Sequence, residues 1–214
     1  MKIAVFGTGM VGNAIGTKLV QLGHEVKMGS RTANNEKAAK WVQSAGGNAS
    51  QGTFADAAAF GELIFNCTSG MATLEVMKLA GEKNLSGKVI ADISNPLDFS
   101  KGMPPTLSVC NNDSIGEQIQ RTYPGAKVVK TLNTMNCNLM VNASLVPGKH
   151  DVFLCGNDAE AKQKVVGILN SFGWTAPIDL GDITAARGME MILPLWLRLY
   201  GANKSPMFNF AVVK

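Results

Sequence analysis

Three glycines within the first twelve residues constrain this chain more than any other feature. A short apolar segment, Ile3 to Phe6, runs directly into Gly7-Thr8-Gly9-Met10-Val11-Gly12. Behind it, Asn13 to Leu22 repeats apolar positions at helical spacing, at Ala14, Ile15, Leu19 and Leu22. A buried parallel strand, a tight turn and a helix in that order form the first unit of a dinucleotide-binding sheet. Gly7 permits the sharp turn, Gly9 lets backbone N–H groups approach a pyrophosphate, and Gly12 lets helix and strand pack closely. The anion then rests at the positive end of the helix. Thr8, Met10 and Val11 complete the expected contact set.

The next strand, Glu25 to Met28, bears on which nucleotide is bound. An NAD-preferring site ends this strand with Asp or Glu, which binds the ribose hydroxyls. Here Gly29-Ser30-Arg31-Thr32 follows, with Lys37 on the next helix. A carboxylate would repel a 2′-phosphate, whereas a guanidinium fork and two hydroxyls bind it through charge-assisted hydrogen bonds. The expectation is NADP(H), held by Ser30, Arg31, Thr32 and Lys37.

With 46% hydrophobic and 17% charged residues the chain is of the ordered globular kind. A net charge of +4 with no basic block gives no sign of nucleic-acid binding. No apolar stretch reaches bilayer-spanning length, and the amino terminus enters a strand without a signal-peptide pattern, so a cytoplasmic protein is expected. Cys67, Cys110, Cys137 and Cys155 stand singly, which argues against a disulfide framework or zinc site. His24 and His150 read as structural.

The remaining elements alternate as in a Rossmann-type, doubly wound, mostly parallel α/β sheet with a small C-terminal α/β extension. Helices are predicted over 36–44, from the Thr53-x-x-Asp56 cap to Gly61, over 71–83, from a Ser114-x-x-Glu117 capping box to Tyr123, and from Asn157-x-x-Glu160 to Ser171. Strands are predicted over 63–67, 88–92, 127–131 and 151–155. Residues 182–200 read as one very apolar helix kinked by Pro194, buried on several sides and in part by a second copy, so a homodimer is expected. The tail, 206–213, reads as packed, as a short strand. Residues 1–155 are expected to form the dinucleotide-binding domain, and 156–214 a small helical extension serving dimerisation and closure of the acceptor site.

Ligands of open α/β sheets bind at the carboxyl ends of the strands. There the chain places Cys67-Thr68-Ser69, Asn95-Pro96 and Asn133-Thr134-Met135-Asn136. These residues are poor in acids, bases and nucleophiles. Reduction of a ketone or imine calls for a proton donor beside the substrate. Hydride exchange between two ring cofactors needs mainly stacking and exclusion of water.

Taken in order, Gly7-x-Gly9-x-x-Gly12, Gly29-Ser30-Arg31, Leu132-Asn-Thr-Met135, Val152-Phe-Leu-Cys-Gly-Asn-Asp158 and the Arg187-to-Tyr200 segment resemble the NADP oxidoreductases dependent on coenzyme F420, a deazaflavin. More distantly the chain is similar to the cytoplasmic oxidoreductase domain of six-transmembrane metalloreductases, which use NADPH and a flavin. The resemblance implies hydride exchange between nicotinamide and a deazaflavin or flavin ring. It matches Thr8, Ser30 and Arg31 to the phosphate contacts, and Lys37 to a basic residue displaced by one position. Two positions depart from it: Cys67-Thr68-Ser69 replaces Thr-Ile-Pro, and Asn133-Thr134-Met135-Asn136 replaces His-Thr-Ile-Pro. The nicotinamide is expected among the Gly7 turn, Cys67-Thr68-Ser69 and Asn95-Pro96. Asn133 to Asn136 and Arg187 are expected around the small-molecule acceptor. No catalytic acid or base and no metal ligand is identified. A reductase of a small organic substrate and a non-catalytic NADP sensor remain as alternatives.

Arg31→Ala should weaken NADP binding and spare NAD, at a cost of about 1.5–3 kcal/mol per charge-assisted hydrogen bond lost. Calorimetric titration with both nucleotides checks this, and equal losses would assign Arg31 to the fold instead.

Overall fold

The first strand shows why its sequence does not alternate: both of its faces are covered. In β1 (Lys2–Phe6), Ile3 and Val5 enter one core layer and Ala4 and Phe6 the other, and all four are fully buried. The computed structural model describes residues 1–214. The further strands are β2 (Glu25–Ser30), β3 (Ala49–Thr53), β4 (Leu63–Asn66), β5 (Val89–Asp92), β6 (Leu97–Asp98), β7 (Thr106–Leu107), β8 (Lys127–Thr131), β9 (Phe153–Gly156) and β10 (Ile178–Asp179). Eight of them form one sheet in the order β10-β9-β8-β5-β4-β1-β2-β3, parallel except for the β8–β9 pair, while β6 and β7 make a small antiparallel hairpin. The chain builds outward from β1 through β2 to β3, then crosses back to place β4 on the other side of β1. That reversal opens a crevice at the carboxyl ends of β1 and β4.

Ten helices cover the sheet: α1 (Met10–Gln21), α2 (Glu36–Ala45), α3 (Phe54–Phe60), α4 (Thr73–Ala80), α5 (Glu82–Leu85), α6 (Ile115–Thr122), α7 (Cys137–Met140), α8 (Ala159–Ser171), α9 (Ala186–Met191) and α10 (Leu193–Asn203). Side-chain caps start α2, α3, α6 and α8. Asn35 caps α2 through the Ala38 N–H, and Thr53 with Asp56 forms a reciprocal capping box on α3. Trp41 of α2 lies against Gly16 of α1, where a Cβ would stand 2.9 Å from the indole. Its Nε1 donates to Thr17 Oγ1 at 3.1 Å.

Several expectations are corrected. The helix predicted over 71–83 breaks at Gly81, whose φ of 87° lies outside helical space, giving α4 and α5. Asp158, not Asn157, caps α8, and the Asn157 carboxamide oxygen accepts the Ile183 N–H instead. Ser114 caps α6, but Glu117 does not close a capping box: it faces Arg187, and Glu190 takes the N–H groups of Ile115 and Gly116. The helix predicted over 182–200 is a short 3-10 turn followed by α9 and α10, because Pro194 has no N–H to continue the ladder. In α10 only Leu193 is buried, while Leu195 is 53% exposed and Tyr200 41%, so the subunit does not enclose this helix. The tail is packed but forms no strand. The Asp151 N–H donates to the Phe210 carbonyl, and Phe208 stacks on Trp196. Strands β3, β6, β7 and β10 escape sequence reading: none has an apolar run, and the last three have only two residues each. The sheet continues past residue 155 into β10, with α8 packed on β8 and β9.

A Cβ on residue 12 would stand 2.0 Å from the Gly7 carbonyl oxygen, so Gly12→Ala must push α1 off the turn. A loss of roughly 1–3 kcal/mol or more is expected. Urea unfolding measures it, and an unchanged midpoint would contradict the packing described.

Candidate functional site

The carboxyl ends of β1, β2 and β4 line a cleft of about 460 Å³. The three glycines of the turn behave differently there. Gly7 has a φ of 107°, and a Cβ on it would meet the Cys67 carbonyl at 2.8 Å; Gly12 is forced by the Gly7 carbonyl. A Cβ on Gly9 would meet nothing within 4 Å, and its φ of −81° suits any residue. The fold therefore does not require glycine at position 9, and a side chain there would project into open space. Just behind it, α1 begins with no side-chain cap and no acidic residue in its first turn. An open cradle before a twelve-residue helix with uncapped N–H groups fits an anionic group.

Ser30 and Arg31 join Gly7, Thr8 and Gly9 along this cleft, with Thr68 and Ser69 opposite. Ser30 is buried, and its hydroxyl donates to the Thr32 carbonyl at 2.6 Å, which orients the turn that presents the exposed Arg31. Thr32 itself is exposed and outside the lining. Lys37 lies in an adjoining hollow with Lys40 and Trp41, also bordered by Thr8 and Gly9. Sequence reading missed Asn35, Phe54, Ala72 and Val76, which also line the cleft. The caps at Asn35 and Thr53 were the available signals for the first two, since each fixes where a helix starts beside β2 or β3.

A second hollow of about 220 Å³ continues from Cys67, Thr68 and Ser69 toward Val11, Ser94, Asn95 and Phe99. No Asp, Glu, His, Lys or Tyr lines it. Burial, aided by the Asp92 charge, pushes the Cys67 thiol up, so it is no ready thiolate. Pro96 is buried behind this wall, and its carbonyl accepts the Ser108 N–H. Met10, 81% exposed, borders the Lys37 hollow and a groove between α1 and α7, and lines neither the cleft nor the second hollow.

The residues expected around an acceptor stand apart from this cleft, which corrects their simple grouping. Asn133, Thr134 and Met135 are buried. The Asn133 amide clasps Asn95 and the Met189 carbonyl, at 2.9 and 2.8 Å, and so supports the wall from behind. Asn136 caps α7. Arg187 is held by Glu117 of α6, a contact made by two guanidinium nitrogens. It lines neither hollow, because α9 lies beyond the β8 side of the sheet with its polar side turned to α6.

Beneath the wall lies an ion cluster that sequence spacing did not disclose. Lys130, fully buried on β8, reaches Asp92 of β5 and Glu190 of α9, both at 2.8 Å, and donates to the Ser94 carbonyl. Burial disfavours charge on Lys130, but the two carboxylates outweigh it and hold its pKa above the ordinary range. Burial pushes the Glu190 carboxyl up against the opposing pull of Lys130.

Against this geometry the likeness to known proteins can be judged. The profile of the family described as NADP oxidoreductase coenzyme F420-dependent matches residues 2–96. An F420-dependent NADP reductase of Methanocaldococcus jannaschii is 31% identical over 151 residues, covering 70% of this chain and 67% of that protein. The chain belongs to the F420-dependent NADP oxidoreductase family. A crystal structure of a protein from Arthrobacter sp. FB24 is 50% identical and covers 100% of both chains at a TM-score of 0.95. Metalloreductase STEAP3 of Rattus norvegicus is 29% identical over 200 residues, and this chain spans 38% of its length. Family membership makes the chain an NADP-dependent oxidoreductase, with the β1–α1 turn inside the matched segment. No helix is long and apolar enough to cross a membrane.

Lys130→Met would leave two buried carboxylates facing each other without their cation. A loss of about 3–5 kcal/mol is expected. Adding Glu190→Gln should recover part of it in the same denaturation assay, and wild-type stability in the single variant would refute the cluster's role.

Proposed function

We propose that this family member binds NADP(H) across the cleft and passes hydride between the nicotinamide and a deazaflavin (F420) or flavin acceptor. The observation that carries the reading is the cleft's division into a cationic, glycine-cradled half and an adjoining half without any acid or base. In the first half, Gly9 leaves room for a pyrophosphate at the α1 N-terminus, Thr8 offers a hydroxyl, and Ser30 holds the turn that presents Arg31. Arg31, free of any carboxylate partner, is the fork for a 2′-phosphate, with Lys37 adding positive charge from the neighbouring hollow.

The second half is walled by Val11, Ile93, Leu97 and Phe99, which exclude water around a flat ring. The bound nicotinamide and the acceptor ring supply the hydride chemistry. The chain's part is to orient and to keep the site dry. Asn133 and Asn95 brace the strand ends for that purpose, and the hydride path needs no protein proton donor. A reductase of ketones or imines would need one, and the wall holds none. The exposed Met191, Leu195 and Tyr200 near and on α10 support a second copy covering this face.

Mixing the protein with NADPH and, in turn, F420, flavin mononucleotide and flavin adenine dinucleotide tests the reading by nicotinamide absorbance. Oxidation with one of these ring acceptors, and none with small ketones or imines, is expected. Turnover of ketones or imines alone would overturn it.

A further inference from the structure

Thr68 lines both hollows of the cleft and so stands where they meet. Its hydroxyl has one proton and two lone pairs, and the direction of that proton decides whether it meets a ligand as donor or as acceptor. The buried ion cluster below makes that decision. Asp92 is surrounded by donors: Asn66 Nδ2 at 2.7 Å, the Ser94 N–H at 3.2 Å, Ser94 Oγ at 2.8 Å and Lys130 Nζ at 2.8 Å. The end of Asn66 that faces this carboxylate must therefore be the amide NH2.

Asn66 Oδ1 is then turned toward residue 68. It accepts the Thr68 hydroxyl at 2.7 Å and the Thr68 N–H at 3.4 Å. A competing acceptor, Thr73 Oγ1, lies 3.3 Å from Thr68 Oγ1. Thr73, however, already accepts from Asn66 Nδ2 and donates its own proton to the Ser69 carbonyl. Thr68 thus spends its proton inward, its methyl stands on the Gly7 side, and a ligand that reaches Oγ1 meets only lone pairs. Ser94 repeats the pattern by donating to Asp92, while Asn95 is tied to Asn133 at both ends of its amide.

We propose that Thr68 selects the carboxamide of the nicotinamide by accepting its N–H, with Asn66, Asp92 and Lys130 as positioning residues that hold the hydroxyl in that polarity. The inference rests on the cofactor reading above. The hollow beyond Thr68 has Val11, Ile93, Leu97 and Phe99 as its apolar lining, which suits a flat ring, and the carboxamide is that ring's own N–H donor. A hydroxyl that can only accept satisfies an amide N–H, and gives nothing to a ring substituent that has only a carbonyl.

Calorimetric titration of the full chain with NADP⁺ and with its 3-acetylpyridine analogue, whose methyl ketone has no N–H, tests this directly. The wild type should bind NADP⁺ roughly ten-fold more tightly than the analogue. Thr68→Val should erase that preference by weakening NADP⁺ alone, and Thr68→Ser should preserve it. Melting curves establish that each variant is folded, and Thr68→Ala serves if valine disturbs the Asn66 pocket. Equal weakening of both coenzymes, or a preference that survives in Thr68→Val, overturns the proposal while leaving the cofactor reading intact. A wild type that binds neither coenzyme overturns the cofactor reading itself.

Discussion

The cleft depends on how closely α1 can lie against the turn that follows β1. Helix and turn touch where Gly12 meets the Gly7 carbonyl, at a distance no side chain would tolerate. This contact aims the start of α1 at the gap between β1 and β4. Gly7 in turn sits against the Cys67 backbone, so the same approach sets the distance between the two cleft walls. Everything placed on those walls, from Arg31 on one side to Thr68 on the other, is located relative to that contact.

The opposite wall is held by charge as well as by close packing, for a Cβ on Gly70 would stand 2.3 Å from the Asn95 carbonyl oxygen. Lys130, Asp92 and Glu190 join β8, β5 and α9 at one buried point, and Glu190 also receives the first N–H groups of α6. Such a cluster is weak evidence for net stability, since removing three groups from water costs much of what their attraction returns. Its clearer effect is directional. With Asp92 ringed by donors, the amide of Asn66 has one orientation; the Thr68 hydroxyl inherits its direction from that amide, and the Ser94 hydroxyl from Asp92 itself. A network satisfied at every member transmits polarity over several residues without any movement.

These two devices account for the division of the cleft. The glycine turn and Arg31 offer positive potential and open backbone, suited to phosphates. The cluster-backed wall offers lone pairs and apolar surface, suited to a ring that gives or takes hydride without a protein proton. The departures from the family pattern at Cys67-Thr68-Ser69 and Asn133-Thr134-Met135-Asn136 fall on this second wall and behind it.

Much of the frame was legible in the linear order of residues. Runs such as Ile3 to Phe6 and Leu63 to Phe65 report strands covered on both faces, and the glycine spacing reports a strand, turn and helix. Arg31 at the end of the second strand was legible too, because its meaning depends on position along one unit. The strands β3 and β10 were not legible: neither has an apolar run, and each exists because a neighbouring strand presents an open edge. The break of α9 from α10 was foreshadowed by Pro194, and the exposure of α10 by more apolar surface than one subunit of this length can cover. Spacing could not reveal that Lys130, Asp92 and Glu190 meet, or that Arg187 turns to Glu117. By itself the sequence determined the nucleotide-binding unit and the sign of the charge at its phosphate end, because those are properties of contiguous residues. Only the tertiary structure decided which side chains back the other wall and which way their protons point, because that depends on groups up to about a hundred residues apart sharing one buried, low-dielectric space.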